Sequence, residues 1–408
     1  MRVLWLAAGL LAVTSAQAQS PPYPQIERGR YLATVGDCTA CHTVPGAPAY
    51  SGGLGLHTPF GTIYSSNITP DEKTGIGKWT ADDLWHVLHE GHNRDGSHIY
   101  PAMPYPWMTH TTREDSDAIF DYLRTVPAAD RSKPSNDLFP PLNLRISVAG
   151  WNLLFFKPDA FTPDPLKSEA WNRGAYIVTG LGHCGACHTK LNVLGAAEES
   201  YALQGNTLDG WYAPDITNNR TNGLGKWTDD EIVAYLHTGR NDRAIASGPM
   251  ADVIMHSTQH MSISDLDAIV AYLRFLPGAD NATAVAPAVD AKVRTAGMGI
   301  YRDNCAACHA AEGTGASELI PTLIGNGAVV GTDPIGVLHT ILRGAATNHT
   351  LFAPTDPVMP AFDWKLSDSQ VAAVATYIRT NWGNQASAVD ASIVKNLREN
   401  LGGDSSTH

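Results

Sequence analysis

The stretch Cys38-Thr39-Ala40-Cys41-His42 is the first of three Cys-x-x-Cys-His pentads in this chain of 408 residues. The other two pentads occupy residues 184–188 and 305–309, and the three together use all six cysteines of the sequence. This pentad is the motif of covalent c-type haem attachment, in which two thiols add across the haem vinyl groups and the histidine becomes the proximal iron ligand. The sequence therefore predicts three covalently bound haem c groups. The predicted attachment residues are Cys38, Cys41, Cys184, Cys187, Cys305 and Cys308, and the predicted proximal ligands are His42, His188 and His309.

Other roles for a Cys-x-x-Cys pair fit this sequence less well. The alternatives are half of a zinc site, a thioredoxin-like redox pair and a disulfide. Zinc would need a second pair nearby, but the first cysteines of successive pentads are 146 and 121 residues apart. A disulfide would not require a histidine directly after the second cysteine. A Cys-x-x-Cys pair followed directly by histidine occurs three times, and no cysteine is left over. This pattern favours haem attachment.

Residues 1–18 have the pattern of a secretory signal peptide. Arg2 supplies the positive end, residues 3–13 the short apolar run and Ala16-Gln17-Ala18 the cleavage site. A bilayer takes about 20 apolar residues, so an uncleaved anchor is the less favoured alternative, and the remaining chain contains no stretch of that length. Because c-type haem is joined to protein outside the cytoplasmic membrane, we expect an exported, periplasmic protein.

The formal net charge of −12 bears on the choice of partner. Nucleic acid is excluded, since phosphate binding needs a basic face. An acidic electron carrier would instead be steered towards a basic patch on a partner protein, although an acidic surface can also serve solubility alone.

One local plan recurs three times along the chain. Each pentad follows a predicted helix that contains a Gly and a Tyr, and each repeat ends in another predicted helix with a capping-box-like start. The first two repeats also share a Gly-Lys-Trp-Thr motif before a middle helix, with Thr80 and Thr228 as its predicted N-caps. The last helix of each repeat is predicted to begin at one of three capping pairs: Thr112 with Asp115, Ser262 with Asp265, and Ser367 with Gln370.

These repeats predict an all-α chain of three tandem class I-like cytochrome c domains joined by Pro-rich linkers. Little of the sequence alternates with a period of two, so we expect only minor sheet. Two shifts in composition set the boundaries, a proline-rich stretch and a plainer linker. The predicted order is a signal peptide at 1–18, domain 1 at 19–130, a Pro-rich linker at 131–168, domain 2 at 169–278, a linker at 279–294, domain 3 at 295–390 and a C-terminal tail at 391–408.

The sixth iron ligand should come from the loop between each pentad and its closing helix. Methionine raises the potential of a haem iron, and Met103, Met250 and Met359 each lie beside proline there. Neighbouring prolines would hold such a segment extended and stiff. Met108 and Met255 repeat equally well and remain rivals by spacing. Histidine ligation is the other alternative, with four candidates in range: His92, His98, His256 and His260.

With the pentads placed, the chain resembles the tri-haem cytochrome c subunits of bacterial membrane-associated dehydrogenases. These include quinoprotein alcohol dehydrogenases and flavin-dependent gluconate, sorbitol and fructose dehydrogenases. The resemblance runs through nearly all of the chain after residue 18. The residues that carry it are Tyr100-Pro101-Ala102-Met103-Pro104-Tyr105, Leu142-Asn143-Leu144-Arg145, residues 150–156, the doubled Gly-Lys-Trp-Thr and His256-Ser257-Thr258-Gln259.

The resemblance implies a role in electron transfer. A catalytic subunit of quinoprotein, flavoprotein or molybdenum type would oxidise an alcohol, sugar acid, polyol or aldehyde, and electrons would pass through three haems to ubiquinone. It also implies that Met103, Met250 and Met359 are the sixth ligands. It makes residues 139–156 a candidate docking surface, with a linker packed between domains as the equal alternative.

Some relatives end in a hydrophobic segment, whereas this chain ends in Gly402-Gly403-Asp404-Ser405-Ser406-Thr407-His408. We therefore expect peripheral membrane attachment, with a terminal oxidase as an alternative acceptor. Two other functions stay open: a haem enzyme with one open iron site, and a free-standing periplasmic carrier.

Overall fold

The computed structural model describes residues 21–278 and 288–403. The predicted signal peptide, residues 279–287 of the second linker and residues 404–408 lie outside these ranges. We use three names for parts of the described chain: repeat 1 (residues 23–123), repeat 2 (169–273) and repeat 3 (291–380).

The described chain is mostly helical, as predicted. Repeat 1 and the segment after it contain α1 (Tyr23–Val35), α2 (Cys38–His42), β1 (Gly55–Thr58), β2 (Gly61–Tyr64), α3 (Ala81–Glu90), α4 (Tyr105–Met108), α5 (Arg113–Leu123), β3 (Asp137–Leu138) and α6 (Ile146–Phe155). Repeat 2 contains α7 (Glu169–Thr179), α8 (Gly185–His188), β4 (Asn206–Leu208), β5 (Trp211–Ala213), α9 (Asp229–Thr238), α10 (Pro249–His256) and α11 (Ile263–Leu273), with single 3-10 turns at Glu199–Tyr201 and Thr258–His260. The remainder contains α12 (Ala291–Asn304), α13 (Ala306–His309), α14 (Gly327–Val330), α15 (Ile335–Arg343), β6 (Ala345–Ala346), β7 (Val358–Met359), α16 (Asp368–Thr380) and α17 (Ala391–Gly403).

The helix starts lie where the capping motifs predict them. Complete capping boxes begin α3, α9 and α16, where a hydroxyl and an acidic or amide side chain each bond the other residue's backbone amide. At α5 and α11 the caps Thr112 and Ser262 accept a bond from the amide three residues on. These bonds satisfy amides that the first turn leaves without a partner.

In each repeat the first helix crosses the last one at a glycine. The crossings join α1 to α5, α7 to α11 and α12 to α16. A Cβ on Gly29 or Gly174 would lie 1.8 Å from the carbonyl oxygen of Ala118 or Ala268, and one on Gly297 would lie 2.3 Å from that of Ala373. The two backbones can approach this closely only because glycine has no side chain.

The strands in the described residues form three small antiparallel sheets. β1 pairs with β2 in the register Gly55 to Tyr64, and β3 adds to the free edge of β2. β4 pairs with β5, and β6 pairs with β7. The segment predicted as a Pro-rich linker thus contributes a strand to a sheet of repeat 1, as well as helix α6.

The apolar core is shared unequally among the repeats. One large cluster of buried side chains runs through both repeat 1 and repeat 2, from Leu32 to Leu273. A second cluster, from Tyr301 to Leu397, belongs to repeat 3 and to α17. Residues assigned to a C-terminal tail therefore include a helix that buries Val394 and Leu397 against α16.

Repeat 3 is joined to repeat 2 through polar groups and ring contacts. The buried guanidinium of Arg240 donates to the hydroxyl of Thr355 at 2.9 Å and to its carbonyl at 2.5 Å. The rings of Trp211 and His339 stack with their centroids 4.0 Å apart. None of the helices in the described ranges is long and apolar enough to cross a membrane.

Candidate haem sites

Each pentad lies on a short helix that directly follows the first helix of its repeat. These are α2, α8 and α13. Asp37 and His183 precede the first two pentads with positive φ values of 50° and 36°, and this left-handed turn separates α1 from α2 and α7 from α8. In repeat 3 the turn is made instead at Cys305, which ends α12 and begins α13.

The three pentad histidines share one hydrogen-bonding arrangement. The Nδ1 atoms of His42, His188 and His309 lie 2.6, 2.7 and 3.2 Å from the carbonyl oxygens of Ser66, Pro214 and Pro321. A carbonyl oxygen only accepts, so Nδ1 carries the proton and the lone pair is on Nε2. An outer carbonyl that fixes the tautomer in this way is typical of metal-binding histidine.

The electrostatic setting keeps these imidazoles neutral. Burial lowers the pKa of His42, His188 and His309, and in each case the bond to the carbonyl opposes that shift only in part. A neutral imidazole with Nε2 unprotonated is the form that binds iron. The donor set therefore fits the predicted proximal ligands.

None of the six cysteines is paired with another in a disulfide. Burial raises the pKa of Cys38 and Cys184 to about 12 and that of Cys41 and Cys305 to about 11. Zinc binds thiolates, which this burial disfavours. Moreover, no group of three or more His, Cys, Asp or Glu side chains in the described ranges is arranged to hold a metal ion. The zinc alternative thus finds no support, whereas a protonated thiol retains the hydrogen that adds across a vinyl group.

The favoured methionines occupy three different local structures. Met103 lies in the turn before α4 and packs, like Cys38, against the core of repeats 1 and 2. Met359 lies on β7, opposite Ala345, and packs with Cys305 against the core of repeat 3. Met250 is in the first turn of α10, so the extended conformation expected of this segment is wrong there. It packs with Tyr235 against a small cluster, whereas Cys184 packs against the large core of repeats 1 and 2.

The rival ligands differ in their surroundings. Met108 is a core residue, only 4% exposed, whereas Met255 is half-buried within α10. The rings of His92 and His98 lie 4.5 Å apart, and His256 and His260 bond backbone carbonyls of their own segment. Met103 is thus more exposed than its rival Met108, whereas Met250 and Met255 are both half-buried. Both rivals remain alternatives.

The carbonyl partners of the histidines are functional groups that side-chain motifs do not reveal. A repeated signal nevertheless marks two of them. Asn67-Ile68-Thr69 follows Ser66, and Asp215-Ile216-Thr217 follows Pro214. Asn67 and Asp215 each accept bonds from the amide and hydroxyl of the threonine two residues on, and this turn fixes the preceding carbonyl.

The first two pentads also lie close to each other. Helix α10 of repeat 2 contacts α2, and a Cβ on Gly185 would lie 2.5 Å from Trp107 Nε1 of repeat 1. Besides burial and the charge of Asp37, the proximity of Cys187 contributes to the raised pKa of Cys41. The sites predicted at pentads 1 and 2 are therefore neighbours across the interface between these repeats.

Comparison with known proteins agrees with this geometry. Residues 295–382 match the family model described as cytochrome c, which indicates covalently bound haem c. The gluconate 2-dehydrogenase cytochrome c subunit of Pantoea cypripedii is 39% identical, over 97% of this chain and 95% of the relative. The cytochrome c subunit of alcohol dehydrogenase (quinone) from Gluconobacter oxydans is 38% identical, over 96% and 86%. The fructose dehydrogenase cytochrome subunit of Gluconobacter japonicus is 36% identical, over 95% and 87%. The chain therefore belongs to the family of cytochrome c subunits of bacterial dehydrogenases.

Proposed function

We propose that this protein is a tri-haem electron-transfer subunit with one haem c at each pentad. The observation that carries the proposal is the threefold arrangement of the pentad histidines, each with Nδ1 on a backbone carbonyl and Nε2 left for iron. Bound haem iron would supply reversible one-electron chemistry. Three tandem cytochrome c domains with linkers between them are part of this proposal.

The chain's own residues have three tasks in such a subunit. The cysteines of each pentad would hold the haem covalently, and His42, His188 and His309 would bind the iron from one side. Met103, Met250 and Met359 would bind it from the other side and exclude small molecules. No acid–base group is needed, because an electron carrier moves no proton from a substrate.

The partner and acceptor follow from the printed names of the relatives. Their subunits serve gluconate, alcohol and fructose dehydrogenases. We infer a catalytic dehydrogenase subunit as the electron donor and ubiquinone or a terminal oxidase as the acceptor. The signal-peptide pattern of residues 1–18 supports a periplasmic location, at the outer face of the cytoplasmic membrane.

The predicted docking surface is consistent with such a complex. Helix α6 is apolar, yet Ile146, Leu153 and Leu154 are exposed, with Phe139 and Leu144 exposed just before it. Apolar side chains clustered on a surface mark interaction sites. We place the contact with the catalytic subunit there.

The haem count is tested by an intact mass spectrum of the protein exported to the periplasm. We expect three haem additions, and a variant with both cysteines of one pentad replaced by alanine should lose one. Two additions in the unmodified protein would refute the tri-haem assignment. Exposure of the reduced protein to carbon monoxide tests the alternative of a haem enzyme, because substantial binding at one site would mean an open iron.

A further inference from the structure

Repeats 1 and 2 exchange a tyrosine–aspartate contact in both directions. Tyr31 on α1 donates its hydroxyl to Asp265 on α11 at 2.7 Å. Tyr176 on α7 donates to Asp115 on α5 at 2.6 Å. Each repeat thus gives a phenol from its first helix and receives one on its last helix, so the interface has the reciprocal form of a two-fold symmetric dimer. We call these two contacts the reciprocal clamp.

Each carboxylate of the reciprocal clamp is also paired within its own repeat. Arg28 Nη2 lies 2.6 Å from Asp115, and Arg173 Nη2 lies 2.7 Å from Asp265. The two aspartate side chains are only 2% and 11% exposed. Hydrogen bonds to charged groups out of water are the strong ones, so each phenol contributes to a firm, directional contact.

The phenol oxygens accept hydrogen bonds as well as donating them. The amide of Ser262 donates to the hydroxyl of Tyr31 at 3.1 Å, and the amide of Thr112 donates to that of Tyr176 at 3.2 Å. These amides belong to the N-caps of α11 and α5. Each tyrosine of one repeat therefore completes the start of the closing helix of the other.

Two further bonds follow the same exchange of partners. Ser257 of repeat 2 donates its hydroxyl to the carbonyl of Val35 at 3.1 Å. His110 of repeat 1 donates from Nδ1 to the carbonyl of Thr179 at 2.9 Å. Both acceptors lie at the ends of the helices that lead into pentads 1 and 2. The exchange thus extends from the closing helices to the ends of the helices that precede the pentads.

Repeat 3 offers a natural contrast in the same chain. Gly299 stands where the two tyrosines stand, two residues after the crossing glycine Gly297. The nearby Tyr301 donates to the carbonyl of Ala310 within its own repeat at 2.6 Å. Gln370 occupies the position of the two aspartates and closes its own capping box. Ala296 stands where the arginines stand in the other repeats. The residues of the reciprocal clamp are thus present only in the two repeats that share a core.

We propose that Tyr31, Tyr176 and their aspartate partners are positioning residues that fix the first two haem sites against each other as one rigid pair. This inference rests on the proposed function. The contacts of α10 with α2 and of Trp107 with Gly185, which bring pentads 1 and 2 together, join the same two repeats as the reciprocal clamp. Repeat 3 is attached through other groups, so its haem site is set independently of this pair.

The test uses the full-length holoprotein and the variants Tyr31→Phe, Tyr176→Phe and their double variant, with Tyr301→Phe as the matched control. Hydrogen exchange at the N-terminal amides of α5 and α11 should accelerate about tenfold in the single variant that loses the corresponding phenol, because a bond to a charged group is lost. Tyr301→Phe should leave these amides unchanged. Unchanged exchange in the double variant would overturn the proposal.

The proposal that the first two haem sites are fixed against each other needs a second measurement, one that does not change when only stability changes. Pulsed dipolar electron paramagnetic resonance on the oxidised protein should give a narrow distance between the first two irons. That distance distribution should broaden in the double variant and stay narrow in Tyr301→Phe. An equally narrow distribution in all proteins would overturn the proposal. Asp265→Asn, which keeps the side-chain shape, repeats the test if the double variant does not fold.

The two proposals can fail separately. A mass spectrum with fewer than three haem additions would refute the tri-haem function, but the exchange rates at α5 and α11 would still report on the reciprocal clamp. Three haem additions together with unchanged exchange and distances would refute the reciprocal clamp alone.

Discussion

Gly297 and Gly299 lie two residues apart on α12, and only one of them is at the crossing with α16. A Cβ on Gly297 would lie 2.3 Å from the carbonyl oxygen of Ala373 and 2.8 Å from Tyr377 Cβ. A Cβ on Gly299 would have no neighbour within 4 Å. Replacing each glycine by alanine therefore compares a blocked position with an open one in the same helix.

The expected difference in stability follows from these distances. Both substitutions gain about 1 kcal/mol from the higher helix propensity of alanine, and this gain cancels in the comparison. Gly297→Ala must also push two backbones apart, and overpacking of this kind costs about 1–3 kcal/mol. The upper part of that range applies, because the obstructing atom belongs to the backbone of α16 and cannot rotate away.

Hydrogen exchange resolved by mass spectrometry is the suitable assay, because a chain with several repeats does not unfold in two states. Peptides from α12 and α16 should exchange about 10 to 100 times faster in Gly297→Ala than in Gly299→Ala, since 1.4 kcal/mol corresponds to a factor of ten. Peptides from α1 and α5 serve as an internal control and should not change. Equal exchange in the two variants would refute the close crossing as the reason for glycine at this position.

Three further predictions concern charge, docking and the junction of repeats. Burial alone would raise the pKa of Asp265, but bonds from Arg173 and Tyr31 outweigh it and hold the pKa below its ordinary value. The Asp265 carboxylate should stabilise the fold fully above about pH 4, and this stabilisation should be lost as the pH falls through the lowered folded-state pKa. Asp265→Asn should therefore make stability less dependent on pH in acid unfolding followed by circular dichroism. Leu153→Glu should abolish co-purification with a catalytic subunit, whereas Leu166→Glu, at a leucine that is 91% exposed, should not; equal recovery would contradict the docking surface. Arg240→Ala should cost about 1–3 kcal/mol and hasten proteolysis of residues 347–357, because Thr355 loses a charged donor; an unchanged cleavage rate would count against this junction.

Local features of this molecule could be predicted from its sequence. The pentads identify the cysteines and histidines, and the side chains of Thr80, Thr228 and Ser367 cap the helices that the motifs predict. Such features depend on residues a few positions apart, whose geometry the backbone largely determines.

Features that depend on tertiary contacts could not be predicted from the sequence. Periodicity identifies the apolar faces of α5, α11 and α16 but cannot tell that the first two repeats share one core. The carbonyls that orient the histidines have no side-chain signature of their own. The helical position of Met250 is set by α10, whose first turn begins at the neighbouring proline that was expected to keep the segment extended.

Because the first two repeats enclose a single interior, a gene truncation that removed either one would leave the other with its apolar side chains in water. Repeat 3 and α17 enclose a separate cluster of side chains, from Tyr301 to Leu397, and repeat 3 meets repeat 2 through groups such as Arg240. We therefore expect related chains to lose or exchange repeat 3 more readily than either of the first two repeats, which depend on each other for burial.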